Sequence, residues 1–213
     1  MMGSHPGWPA ELSAGPVTLR PPRLRDAHAW SEIRLRNEQW LAQWEPTSPF
    51  SWAERNASGA WPQLNSALRK AARAGTMLPF MILYGGRLCG QLNVSNVVHG
   101  VQRSCTVGYW VDGAVAGRGI TPTALALVID HCFTGAGLHR VEIDIRPENT
   151  ASLRVVEKLG VRREGYYERY LDISGAWRDH VAFAITVEEL HGGTMLSRLA
   201  ALPPVPDWRS DRR

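Results

Sequence analysis

The chain of 213 residues contains only three cysteines, Cys89, Cys105 and Cys132, with no CxxC pair among them. An odd count without ligand spacing argues against both a disulfide framework and a zinc site. Long apolar runs are missing as well. Arg, Asp, His or Gly interrupts each hydrophobic stretch before the roughly 18 residues that a membrane span requires. The first 16 residues show no basic segment followed by an apolar one, so no secretory signal is expected there. Lysine is scarce: Lys70 and Lys158 are the only two among 24 basic residues. Arginine therefore carries the net charge of +4 and the pI of about 9.2. No arginine run exceeds two residues, so the basic stripe that lines a nucleic-acid groove is lacking, and no direct nucleic-acid partner is expected. His28, His131 and His180 stand apart, without HxxxH or HxxE spacing, and no metal is assigned. There is no GxSxG elbow and no Walker A loop, which removes the α/β-hydrolase and P-loop classes. What remains is a cytoplasmic globular protein, 44% hydrophobic and 21% charged, long enough to bury one sizeable core.

Residues 1–16 are rich in Gly and Pro and are expected to form a flexible N-terminal segment. Residues 17–190 read as one domain, and 191–213 as a polar, Pro-rich tail. Within the domain, Val17 to Arg20 reads as a strand. Helical periodicity then runs from Leu24 to Trp44, and a second helical stretch begins at Ser51 with Glu54 three residues on, a capping box. Its interruption is expected at Pro62. The apolar run Leu78–Tyr84, the turn Gly85-Gly86 and Arg87–Val98 predict a hairpin, with a third strand over Gln102–Val111. A helix follows to Ala136, then a strand over Leu138–Ile145, a helix over Asn149–Leu159, and two strands joined at Ser174-Gly175. The order β-α-α-β-β-β-α-β-α-β-β predicts an α+β domain built on a mixed sheet with helices on it.

Two segments carry chemistry. In Tyr109-Trp110-Val111-Asp112-Gly113-Ala114-Val115-Ala116-Gly117-Arg118-Gly119-Ile120-Thr121-Pro122 a strand ends and a glycine loop enters a helix. Thr121 is the expected N-cap and Pro122 the first helical residue. Free N–H groups at such a helix start, backed by the dipole, attract phosphate, and Gly117 and Gly119 allow close approach. By itself this is equally an ordinary strand-to-helix connection. The second segment alternates, with Val141, Ile143 and Ile145 on one face and Glu142, Asp144 and Arg146 on the other. It leads through Pro147 and Glu148 into Asn149-Thr150-Ala151-Ser152-Leu153-Arg154-Val155-Val156-Glu157-Lys158-Leu159-Gly160, a short helix capped by Asn149 and ended by Gly160.

The pairing of a GRGIxxxA-type loop-helix with this ENTASLRVVEKLG-type helix resembles the GCN5-related N-acetyltransferases (GNAT) over residues 17–190. The stretch from Glu164-Gly165-Tyr166-Tyr167 through Trp177-Arg178-Asp179-His180 resembles the RimJ/RimL branch, nearest to its ribosomal-protein-alanine N-acetyltransferases. The resemblance implies a mostly antiparallel twisted sheet, splayed at its central strand, with helices on both faces. It implies acetyl-CoA as donor. Main-chain groups of Tyr109, Trp110 and Val111 would pair with the pantetheine, and Gly117, Arg118, Gly119, Ile120 and Thr121 would hold the pyrophosphate. Asn149 would bind the pantetheine, with Ser152 facing the thioester sulfur as the acid for the leaving thiolate. Ala116, Thr121 and Pro122 depart from the family's loop pattern. Val156 stands where several relatives carry an acidic tyrosine.

Asp144, then Glu142, are the candidate bases; each could instead form an ion pair with Arg140 or Arg146. Ser152 could instead serve only the backbone of its helix. Cys105 and Cys132 read as buried small hydrophobes. Trp40, Trp44 and Trp177 are candidate walls of the acceptor cleft, with Glu38 and Glu45 either attracting a cationic amine or lying in solvent. The implied acceptor is the N-terminal α-amine of a protein, a ribosomal protein beginning with alanine. A lysine side chain, an amino sugar or a polyamine stays open, as does a non-catalytic acyl-CoA-binding module in ribosome assembly. The chain is expected to be a monomer or homodimer without membrane contact.

Overall fold

A computed structural model describes residues 6–201. Eight strands form one sheet in the order β1-β2-β3-β4-β5-β6-β8-β7. They are β1 (Leu12–Ala14), β2 (Val17–Arg20), β3 (Leu78–Tyr84), β4 (Arg87–Val98), β5 (Ser104–Val111), β6 (Arg140–Ile145), β7 (Arg162–Ile173) and β8 (Ala176–Thr186). Every neighbouring pair is antiparallel except β5 and β6. The β3–β4 hairpin turns through Gly85 and Gly86, both at positive φ (55° and 78°), a geometry that glycine adopts without a Cβ clash.

Among the described residues seven α-helices accompany the sheet: α1 (Ala27–Arg36), α2 (Glu38–Leu41), α3 (Trp52–Asn56), α4 (Trp61–Arg73), α5 (Ile120–Thr134), α6 (Thr150–Lys158) and α7 (Met195–Ala201). Strand alternation sends Phe80, Ile82, Val107, Val141, Ile143 and Ile145 into the main core, where α5 and α6 contribute Leu125, Ile129 and Val156 and the α6 C-cap contributes Leu159. Met81 points to the opposite face, where it packs with Trp30 and Trp61. Helices thus lie on both faces, as the family resemblance implied. No helix among the described residues is long and apolar enough to cross a membrane.

Several expectations shift. The helix predicted from Leu24 to Trp44 breaks at Asn37 (φ −102°, ψ 21°), whose side chain is drawn to the end of β5. Ser51 and Glu54 form the capping box of α3, but the interruption falls at 57–60; Pro62 sits in the first turn of α4, where its missing N–H costs nothing. The 1–16 stretch is not wholly a flexible segment. Its residues 12–14 add strand β1, and Trp8 packs edge-on against Phe80 at 5.7 Å; residues 1–5 lie outside the described residues. The 191–213 tail contains α7, whose Met195 is fully buried and whose first N–H groups, at Met195 and Leu196, donate to Asp130 of α5 at 2.6 and 3.1 Å. Residues 202–213 lie outside the described ones.

Candidate active site

β5 and β6 run parallel and pair only at Ser104–Thr106 with Arg140–Glu142. Beyond Thr106 the strands part, because β6 continues against β8 as far as Ile145 while β5 stays on β4 as far as Val111. A gap opens between Val107–Val111 on one side and Ile143–Ile145 on the other. Hydrogen-bonding direction alternates along a strand. The Asp112 N–H donates to Cys89 at 2.8 Å, so residues 110 and 108 also face β4. Gly90 agrees, since a Cβ there would lie 2.4 Å from the Trp110 carbonyl oxygen. Tyr109 and Val111 therefore present main-chain N–H and C=O groups to the gap. Trp110, expected to do the same, has its main chain committed to β4.

One end of the gap is held by a buried clasp. Asp112 binds the Arg36 guanidinium, accepts from Asn37 Nδ2 at 2.9 Å and caps Ala114 at 3.1 Å, while Asn37 Oδ1 accepts from Gly113 N–H at 3.0 Å. Burial alone would raise the Asp112 pKa, but these donors, Arg36 first, hold it below the ordinary aspartate value. The glycine loop then enters α5. Its cap is not Thr121: the helix begins at Ile120, with Gly119 as N-cap at φ 76° and no side-chain cap. Gly117 is likewise left-handed (φ 80°), and no atom stands within 4 Å of a Cβ built on either glycine. First-turn N–H groups at Ile120 and Thr121 thus have no capping side chain, whereas Pro122 contributes none. Arg118 is exposed beside them.

On the α6 side, Asn149 Oδ1 accepts from Ser152 N–H at 3.1 Å, so its oxygen caps the helix and only its amide nitrogen is left for a ligand. Because Asn149 performs the capping, the Ser152 hydroxyl is not needed for it. Tyr109 packs its ring into the main core on this face. Its phenolic oxygen is buried without a hydrogen-bond partner. Val156 is fully buried in the core.

The opposite face of β6 carries the carboxylates. Glu142 is bound by Arg140 Nε at 2.6 Å, and Arg140 also pairs with Glu164, which in turn pairs with Arg162. The ion-pair alternative thus holds for Glu142. Asp144 forms no ion pair among the described residues. Its pKa is pushed up to about 6, first by burial and then by the Glu142 charge, against the pull of a Tyr170 hydrogen bond and Arg140. Tyr170 lies in a cluster with Tyr167 (4.8 Å) and His180 (5.7 Å), shaped by a bulge in β7 at which Arg169 has φ 48°. Arg146, the other ion-pair candidate, instead binds Glu148 at 3.2 Å and the Gln43 carbonyl at 2.8 Å, and covers Trp44 at 5.1 Å.

Above the gap, the Trp40 indole donates to the Val111 carbonyl at 3.1 Å while 41% of the residue stays exposed. Trp177 stands on the β7–β8 hairpin and is 64% exposed. That hairpin is strapped to the segment after Trp44: Thr47 N–H donates to Asp172 O (3.0 Å), Ser174 N–H to Glu45 O (3.1 Å) and Gly175 N–H to Thr47 Oγ1 (2.8 Å). Glu45 is neither free nor in solvent, because it pairs with buried Arg34 at 2.7 Å, whereas Glu38 is exposed. Arg34 stacks on Trp30, Trp52 and Trp110 at 5.8, 4.5 and 5.1 Å. Neither the strap nor the arginine stack has a local sequence signal; both join residues far apart in the chain.

No cluster of three or more His, Cys, Asp or Glu among the described residues could hold a metal ion. A strand that opens beside a glycine-started helix suits a long, flexible ligand with a phosphate group, held by main-chain hydrogen bonds. A carboxylate poised near pH 6 on one face and hydroxyls on the other suit proton transfer in both directions.

Comparison with known proteins agrees. Residues 17–162 match the Acetyltransferase (GNAT) domain family. The solved structure of Mycobacterium smegmatis RimJ in complex with CoA-disulfide superposes with a TM-score of 0.90 and is 48% identical, covering 92% of this chain and 96% of that one. The [Ribosomal protein uS5]-alanine N-acetyltransferase of Escherichia coli is 29% identical over 180 residues, 84% of this chain and 91% of the relative. A match to the Probable N-acetyltransferase YjcK of Bacillus subtilis is 37% identical over 99 residues and spans 46% of this chain but only 55% of that protein.

Proposed function

Because the chain belongs to the GNAT acetyltransferase family, of RimJ/RimL type, and is an acetyl-CoA-dependent N-acyltransferase, we propose that it acetylates the N-terminal α-amine of a ribosomal protein beginning with alanine, in the cytoplasm. The observation that carries the site assignment is the gap between β5 and β6, flanked by Asp144 on one face and Ser152 on the other. Support for the acceptor comes from the E. coli relative, which bears the alanine N-acetyltransferase name.

Bound acetyl-CoA supplies an activated acetyl thioester. Main-chain groups of Tyr109 and Val111 pair with its pantetheine arm as a neighbouring strand would, aided by the Asn149 amide nitrogen. The N–H groups from Gly117 to Thr121, with the α5 dipole behind them, receive the pyrophosphate. An α-amine has a pKa near 8, so a modest base suffices. Asp144 takes the proton lost by the attacking nitrogen, directly or through water. Val111 N–H faces the developing oxyanion. Ser152 gives a proton to the departing sulfur and is restored from water. Trp40, Trp44 and the strapped hairpin bound the mouth through which a peptide end enters.

The test is mass spectrometry of peptides with free N-termini beginning Ala, Ser, Thr or Met, incubated with acetyl-CoA beside an N-terminally blocked lysine peptide. A gain of one acetyl group (about 42 Da) on the alanine peptide is expected. Acetylation of the lysine peptide alone would overturn the acceptor and keep the chemistry.

A further inference from the structure

One buried polar atom at the gap is left without a role by the mechanism above. The Tyr109 hydroxyl sits at the mid-length of the free stretch of β5, its oxygen buried and unpartnered. A buried O–H without an acceptor is rare in native proteins, and each instance calls for an explanation. Strand alternation places the Tyr109 ring on the α5–α6 face, the face from which α6 presents Ser152. Resting on the acetyl-transfer reading above, we propose that Tyr109 is a positioning residue: its phenol, unpartnered in the free protein, donates to Ser152 Oγ once acetyl-CoA occupies the gap, so that the serine's own proton is left pointing at the departing sulfur.

The direction of that bond follows from the donor inventory. A serine hydroxyl has one proton and two lone pairs. If Ser152 donated to the phenol, its proton would be unavailable to the thiolate and the phenol proton would stay buried without an acceptor. If the phenol donates, both hydroxyls are satisfied and the serine proton is free. Burial pushes the Tyr109 phenol up to about 12, so the phenol keeps its proton across the working pH range. It therefore orients and polarises the serine without ionising. In the reaction the nitrogen–carbon bond forms, the carbon–sulfur pair goes to sulfur, Asp144 takes the amine proton, and Ser152 supplies the sulfur's. Tyr109 gains and loses nothing. Asn149 completes the arrangement from the other side by fixing the Ser152 backbone through its N–H.

Tyr109→Phe removes a single oxygen from a packed ring. Its kcat for thiol release from acetyl-CoA with the peptide acceptor should fall on the order of tenfold, with the KM for acetyl-CoA and the melting midpoint no worse than in the unaltered chain. In a Ser152→Ala background the same substitution should cost nothing further, because the two hydroxyls act as one unit. Unchanged kcat in Tyr109→Phe would overturn the assignment. So would a loss that adds fully to that of Ser152→Ala, or one confined to KM with a lower melting midpoint, the mark of a packing role. If the unaltered chain released no thiol with any amine, the acetyl-transfer reading would fall first, whatever the variants did.

Discussion

Replacing Asp144 by Asn tests the base and its environment together. The carboxyl has a pKa of about 6 in the folded protein against an ordinary 3.8. Catalysis needs it ionised and needs the amine, with a pKa near 8, neutral. In the unaltered enzyme, log kcat/KM should therefore rise with a slope near two below pH 6, near one from 6 to 8, and level off above. At pH 5 about a tenth of Asp144 is ionised, a further tenfold loss beyond that of the amine. Asp144→Asn should lower kcat/KM about 10²–10⁴-fold and leave a single slope of one up to pH 8. Stability should move the other way. With a folded pKa above the unfolded one, the stability owed to this group is full below pH 3.8 and is lost as pH rises through 6. The gap between the two values corresponds to ~3 kcal/mol in a dry site; the carboxyl is only half-buried, and solvent screening leaves about 1 kcal/mol. At pH 7 the Asn variant should thus melt about 2–4 °C higher, and at pH 3 no higher. Steady-state kinetics across pH and thermal melts read both effects. A variant that keeps the steep acid limb, or keeps full turnover, would refute the assignment of Asp144 as base.

Three further outcomes are expected. Glu142→Gln removes the charge that helps raise Asp144, so the acid limb should move below pH 6 while turnover persists; complete loss of turnover would transfer the base role to Glu142. Gly119→Ala forces a side chain into left-handed backbone at φ 76° and should cost about 1–2 kcal/mol. It should also raise the KM for acetyl-CoA; an unchanged KM would detach the α5 start from donor binding. Arg34→Ala unstacks three tryptophans and leaves the Glu45 carboxylate without its cation. A loss of about 3 kcal/mol, or a drop of about 6–12 °C in the melting midpoint, is expected by calorimetry.

Local signals were readable in the sequence. The Ser51–Glu54 box, the Asn149 cap, the double-glycine turn and the alternation of β6 all act within a few residues, and each appears where the sequence reading places it. Thr121 misled because a good capping residue lost to Gly119, whose left-handed φ starts the helix two residues earlier. The Gly/Pro richness before residue 17 concealed β1 and Trp8, whose order comes from pairing with β2 and packing on Phe80 rather than from propensity. Site partners were the least legible. Asp112 needs Arg36 and Asn37, some 75 residues upstream; Val111 needs Trp40. Residue type supplied the candidates, and the fold distinguishes Glu142 from Asp144 by pairing Glu142 alone with an arginine.

The parting of β5 from β6 has a mechanical side. Across that seam the eight strands are joined by three residue pairs only, Ser104–Arg140 to Thr106–Glu142. The sheet is thus two panels, β1 to β5 and β6 to β7, sharing a short hinge at one end. At the far end the β7–β8 hairpin is latched to the segment after Trp44 by the Thr47–Asp172 and Glu45–Ser174 hydrogen bonds. A donor lying in the seam as proposed would act as a ninth, removable strand that completes the ladder. Amide exchange at Tyr109 and Val111 should then be fast in the free protein and slow once CoA is added, with the latch amides at Thr47 and Ser174 slowing in step because the panels no longer open independently.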